Sequence, residues 1–207
     1  MTTTLEFIFD FASPNAYLAY RALPPILQRT GATLFLTPCL LGGIFKSTGN
    51  QAPMLAFANV KGKIDYDMLE MRRFIARHNL TKFRMNPHFP INSLLLMRAM
   101  IAAGAAAQQT YVEAVLAAMW EEGQAMGDQA VVAQVLRAAG LDAEKILAGA
   151  QTDSVKQALA GNTEAAVARG VFGIPTFFVG TEMFFGKERL GQVEEYLGNH
   201  EAQISIG

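Results

Sequence analysis

The sequence predicts an α/β protein in which a βαβ unit at the start and a ββα unit at the end enclose an all-helical block. Two β-forming runs, Leu5–Phe11 and Thr33–Pro38, flank a stretch with the spacing of an amphipathic helix. Two more runs, Thr176–Val179 and Glu182–Phe185, are separated only by Gly180-Thr181, the pattern of a hairpin. Between about Leu40 and Arg169 nearly every segment carries helical periodicity.

The first helix opens at Ser13-Pro14, an N-cap residue followed by proline at the first helical position, where its missing N–H costs nothing. Tyr17, Leu18, Tyr20, Leu23, Ile26 and Leu27 continue it as one helix, which Gly31 closes. In the helical block the periodic residues are Met68, Leu69, Met71, Phe74 and Ile75, then Leu94 to Met100, Tyr111 to Trp120, and Val131, Val132, Val135 and Leu136. Gly49-Asn50, Asn86-Pro87 and Gly140-Leu141-Asp142 punctuate it, and Gly104-Ala105-Ala106-Ala107 joins two helices. Glu188 to Leu197 forms the last helix. The expected division is residues 1–40 with 165–207 as one domain and 41–164 as a helical insertion.

A chain of 207 residues that is 51% hydrophobic and 17% charged can bury a sizeable core and is not disordered. Its 17 Lys and Arg nearly balance 18 Asp and Glu, so neither nucleic acid nor an anionic membrane surface is an expected partner. Lys61, Lys63, Arg72, Arg73 and Arg77 read as a solvated face. No apolar run approaches the roughly 20 residues of a membrane span, and the opening Met1 to Glu6 lacks a basic stretch, so a cytoplasmic location is expected. Cys39 is alone, which excludes an intramolecular disulfide and fits a reducing compartment. His78, His88 and His200 are scattered without metal-ligand spacing, so no metal site is expected. Met97, Met100, Met119, Met126 and Trp120 fall at helical apolar positions and belong to the core.

The order βαβ, helices, ββα resembles a thioredoxin fold carrying a helical insertion. Ser13-Pro14-Asn15-Ala16 then stands where such oxidoreductases carry C-x-x-C. Without a thiol at either end, disulfide exchange through this motif is impossible. A serine hydroxyl can accept from a backbone N–H while donating its own proton, so Ser13 can cap the helix and still stabilise an incoming thiolate at the helix N-terminus. Pro175, in Gly173-Ile174-Pro175-Thr176, matches the cis proline that faces this helix start in the fold. The backbone N–H and C=O of Ile174 would then be free to pair with an extended peptide.

Asp10-x-x-Ser13-Pro14-x-x-Tyr17-Leu18, Leu41-Gly42-Gly43-Ile44-Phe45-Lys46-x-x-Gly49-Asn50, Phe89-Pro90-x-Asn92-Ser93, Phe172-Gly173-Ile174-Pro175-Thr176 and Phe185-Gly186-x-x-Arg189-Leu190 occur in order over nearly the whole chain. Together they resemble the kappa-class glutathione transferase and 2-hydroxychromene-2-carboxylate isomerase family of the DsbA-like thioredoxin superfamily. The resemblance implies glutathione as cofactor, a small aromatic or electrophilic substrate, and a homodimer. It makes Ser13 the catalytic, thiolate-stabilising residue and Asn50 a glutathione contact. Lys46 would border the glycyl carboxylate or an acidic substrate, and Ile174 and Pro175 would hold the cysteinyl unit. The family's Ser-Asp pair for the γ-glutamyl end reads Lys187-Glu188 here: the acid is kept, one methylene longer, and the hydroxyl has become an ammonium. Ile91 stands where the isomerases have tyrosine, and Asn59-Val60 near their asparagine-arginine pair. The implied activity is glutathione-dependent isomerisation of a 2-hydroxychromene-2-carboxylate-like acid in aromatic catabolism. The alternatives are a kappa-type transferase or peroxidase and a non-catalytic glutathione-binding protein.

Overall fold

The computed structural model describes residues 3–204. The outermost residues of the expected domain ranges, 1–2 and 205–207, and the side chain of His200 lie outside the described residues. Strand β1 (Thr4–Phe9) pairs in parallel with β2 (Thr33–Pro38), with Thr4 opposite Thr33 and Phe9 opposite Pro38. On its other side β1 pairs antiparallel with β3 (Thr176–Val179), which pairs in turn with β4 (Glu182–Phe185). The sheet order is β2-β1-β3-β4. All three later strands keep the bounds that the sequence pattern predicts.

The βα connection differs from expectation. Two helices, α1 (Pro14–Ala22) and α2 (Pro24–Thr30), replace the single one. Pro24 and Pro25 supply no N–H to continue the α1 ladder, and Leu23 both ends α1 and accepts from the Ile26 N–H at 2.9 Å. Gly31, at φ 64°, closes α2.

The helical block comprises α3 (Leu41–Thr48), α4 (Pro53–Ala56), α5 (Lys63–Arg77), α6 (Leu94–Trp120), α7 (Gln129–Ala138), α8 (Ala143–Gly149) and α9 (Asp153–Ala168). Gly104, at φ 71° and ψ 170°, kinks α6 at the predicted join. After the sheet, a 3₁₀ turn (Lys187–Arg189) precedes α10 (Leu190–Ile204), so the last helix starts slightly later than the sequence pattern suggests.

Phe7, Phe9 and Phe11 are fully buried and meet edge to face, and Phe7 packs on Phe177 with ring centroids 4.6 Å apart. The kinked α6 lies at the centre of the helical block, in contact with α1, β2, α7, α8 and α9. Met97, Met100, Met119 and Met126 are buried there, as expected. Trp120, at the end of α6, donates its indole N–H to the Phe11 carbonyl at 3.0 Å in a fully buried setting. That bond ties the helical block to the loop after β1. Trp120→Phe would leave the Phe11 carbonyl unpaired and is expected to cost about 1–3 kcal/mol in urea unfolding followed by circular dichroism. A loss under half a kilocalorie, roughly, would mean that the ring alone matters.

Candidate functional site

Because β3 runs antiparallel to β1, the end of β1 and the start of β3 share one edge of the sheet. Ser13 and Ile174 therefore meet there. The Ser13 hydroxyl accepts from the Ala16 N–H at 3.2 Å, as an N-cap should, and donates to the Ile174 carbonyl at 3.1 Å. The Ile174-Pro175 peptide is cis, as expected; Phe89-Pro90, which sequence reading did not single out, is also cis. The expected free Ile174 carbonyl is instead occupied by Ser13, since an oxygen within reach of a buried hydroxyl is its natural acceptor. The Ile174 N–H finds no acceptor among the described residues.

A second side chain grips the same loop. Gly49, at φ 71°, ends α3 and turns Asn50 back, so that its amide donates to the Phe172 carbonyl at 2.7 Å. Lys46, in the last turn of α3, is exposed and has no ion-pair partner among the described residues. Phe172 is 40% exposed, and its ring lies 4.5 Å from that of Phe185, also exposed. A Cβ on Gly173 would come within 2.8 Å of the Phe185 ring, so glycine is required for this approach. Sequence reading passed over this apolar ledge, because single phenylalanines beside a glycine carry no periodic signal.

Lys187 and Glu188 do not form an ordinary charged first turn. Lys187 is only 4% exposed; its ammonium pairs with Glu188 and lies 5.4 Å from the centre of the Phe74 ring on α5. Glu188 is half exposed, and a Cβ on Gly186 would lie 3.0 Å from its Oε2. The Gly186 N–H in turn donates to the Pro175 carbonyl at 2.9 Å. Glu188 thus borders the proline loop, while Lys187 is turned towards the helical block.

Beneath the serine lies Asp10, fully buried at the end of β1. Its oxygens accept from the Ala12 N–H at 2.9 Å and the Leu41 N–H at 2.7 Å, and the Ser93 side chain lies near it. Burial raises its pKa to about 6, against the opposing pull of these three neighbours. Cys39 is buried, and its thiol is pushed up to about 12 by burial and the nearby Asp10 and Glu6 charges, which disfavours the nucleophilic thiolate. A cavity of about 780 Å³ opens further along α1, but Ser13, Asn50 and Ile174 do not line it. Its charges answer one another: Arg21 bridges Glu113 and Glu121, Tyr17 donates to Glu121 at 3.0 Å and Tyr20 to Glu113 at 2.9 Å. Among the described residues no group of acidic, His or Cys side chains could hold a metal ion, and no helix is long and apolar enough to cross a membrane.

A thioredoxin-type sheet, a helix N-terminus and a cis proline loop facing it define the class. Residues 4–198 match the DSBA-like thioredoxin domain, and the chain belongs to that family. Within it the chain sits with the 2-hydroxychromene-2-carboxylate isomerases and kappa-class glutathione transferases. It is 30% identical to a 2-hydroxychromene-2-carboxylate isomerase of Pseudomonas putida over 197 residues, 94% of each chain. It is 28% identical to glutathione S-transferase kappa 1 of Rattus norvegicus over 209 residues, 94% of this chain and 90% of that one. A solved 2-hydroxychromene-2-carboxylate isomerase superposes with a TM-score of 0.83 at 29% identity, covering 98% of both chains. The chain is an enzyme of the isomerase and transferase type that these relatives represent.

The buried carboxylate gives a stability test. Its folded pKa, about 6, lies above the unfolded value, so the native state holds the extra proton between about pH 4 and pH 6 and stability falls as pH rises through that window. The full penalty, about 3 kcal/mol, is present above pH 6 and relieved below pH 4. Unfolding free energies of the wild type minus those of Asp10→Asn should therefore drop by roughly that amount from pH 4 to pH 7. A flat difference curve would show that Asp10 titrates normally.

Proposed function

We propose that the protein is a glutathione-dependent isomerase acting on 2-hydroxychromene-2-carboxylate or a close relative. The observation that carries the reading is the Ser13 hydroxyl at the N-terminus of α1, aimed at the Ile174 carbonyl beside the unpaired Ile174 N–H. The donors and acceptors fit a cysteinyl peptide: a hydroxyl for sulfur, a backbone edge for an amide, and the Glu188 carboxylate for an ammonium. When bound, glutathione would supply a thiolate that adds to a conjugated carbon and is later expelled, leaving a former double bond free to rotate in between.

Ser13 turns its proton from the Ile174 carbonyl to the sulfur, and the α1 N-terminus favours the negative charge. The carbonyl so released, with the Ile174 N–H, pairs with the backbone of the cysteinyl unit. Asn50 steadies the loop from the Phe172 side and contacts the cosubstrate. Lys187 holds Glu188 in place, and Lys46 pairs with the substrate carboxylate. Phe172 and Phe185 give an aromatic substrate an apolar surface to lie on. A homodimer, a cytoplasmic location and the 41–164 insertion as a separate domain belong to the same proposal.

Ile91 favours a second reading. Its side chain is buried in the core and offers no hydroxyl to a substrate carboxylate, which fits a kappa-type transferase that consumes glutathione. An assay with catalytic glutathione and 2-hydroxychromene-2-carboxylate separates the two: appearance of trans-o-hydroxybenzylidenepyruvate with glutathione conserved is the expected result. Steady glutathione loss to chlorodinitrobenzene or a hydroperoxide, with no chromene turnover, would move the protein to the transferase reading.

Ser13→Ala is expected to cost about 1 kcal/mol of stability through the lost cap. Turnover should fall roughly 10- to 100-fold through the lost thiolate donor. Unchanged turnover in that variant would remove Ser13 from the mechanism.

A further inference from the structure

We infer that Asp10 is a positioning residue of the site, fixing Ser13 and the opening of α3 around the ligand; the ligand part of this inference rests on the glutathione reading above. One carboxylate joins three segments far apart in sequence. Its Oδ1 holds the Ala12 N–H in the loop that leads into Ser13, and its own backbone carbonyl accepts from the Ser13 N–H at 3.2 Å. Its Oδ2 holds the Leu41 N–H at the first residue of α3, the helix that carries Lys46 and delivers Asn50. Ser93 stands at the N-cap of α6 but makes no side-chain capping bond; its side chain lies near Asp10 and favours the ionised form.

Only an ionised carboxylate accepts on both oxygens without offering a donor. An amide in its place would set a donor against one of the two backbone N–H groups, because both are fixed and point inward, and protonation would turn one oxygen into a neutral, weaker acceptor that needs a partner for its own proton. Either the Ser13 loop or the α3 start is then held less tightly. A fully buried carboxylate costs stability even with its hydrogen bonds made, which is the pattern of a site residue rather than of a core one.

The groups facing Asp10 are few. The Cys39 thiol comes from the end of β2 and stays protonated; α3 and α6 bring the Leu41 N–H and the Ser93 hydroxyl, and neither helix has an acid in its first turn. Glu6 and Arg169, further away, pair with each other at 2.8 Å. His78 lies 4.3 Å from Phe74, on which the Lys187 ammonium rests, and its pKa is lowered by burial and Arg77, so it needs its own control.

The test uses S-methylglutathione, whose sulfur does not ionise, bound to the wild-type protein by calorimetry from pH 5 to pH 8. Affinity should fall about tenfold on acidification, the cost of one charge-assisted contact. Asp10→Asn should bind weakly at every pH with no step, and His78→Gln should keep the step. Ser93→Ala, which removes a neighbour that favours the ionised form and guards against an unfolded Asp10 variant, should move the step to higher pH. Amide NMR shifts of Ser13, Leu41 and Ile174 in the free wild type should follow the same titration. With glutathione itself at pH 7.5, positioning requires weaker binding by Asp10→Asn; tighter binding would mean that the carboxylate only repels the thiolate, and would overturn the inference. A pH-independent affinity in the wild type, or amide shifts that stop at Ala12, would overturn it too. Absence of binding at every pH would remove the glutathione reading alone, since the amide shifts of Ser13 and Ile174 still decide the positioning.

Discussion

The hydrogen bond from Ser13 to Ile174 joins the first turn of the first helix to the loop that starts the third strand. It can form only because β1 and β3 are neighbours and antiparallel, which brings the end of one to the beginning of the other. Everything that makes the site depends on that pairing. The helical block, placed between these two pieces in sequence, must leave the sheet after β2 and return to it before β3, and α9 packs against both β2 and α3 on the way back. The helices thus frame the serine edge, and α3 and α5 lend it side chains.

The serine shows how one hydroxyl serves two purposes at no extra cost. As an N-cap it uses a lone pair, and its proton remains available. In the resting protein that proton rests on a carbonyl that a peptide ligand would itself satisfy. Exchange of partners on binding therefore leaves no polar group stranded, whereas a ligand with sulfur but no amide would strand the Ile174 carbonyl in a buried place. On the proposed reading, selection for a peptide thiol follows from accounting for every donor and acceptor.

Much of this could be read from the residues. The strands at Thr33, Thr176 and Glu182 announced themselves through β-formers and a two-residue turn, and Ser13-Pro14 is an N-cap signal with a physical reason behind it. Pro24-Pro25 carried an equally physical signal, the absence of two N–H groups, that the apolar periodicity across it masked. Sheet order was not legible, since no local pattern states which strand lies beside β1. The burial of Lys187 was not legible for a similar reason: a lysine opening a helix is solvated unless an aromatic ring from elsewhere covers it, and Phe74 is remote in the chain. Asp10 stood inside a recognisable block, yet a single acid at a strand end declares nothing until its neighbours arrive from α3 and α6.

The burial of Lys187 has a consequence for how the chain tolerates change. Its ammonium belongs at once to the turn beside the proline loop and to the flank of α5. Residues on that flank, such as Phe74, Glu70 and His78, are distant in sequence from the proline loop but share its electrostatic neighbourhood. Sequence drift on the outer helix is therefore not neutral ground: it can retune the turn beside the proline loop without altering any residue of that loop.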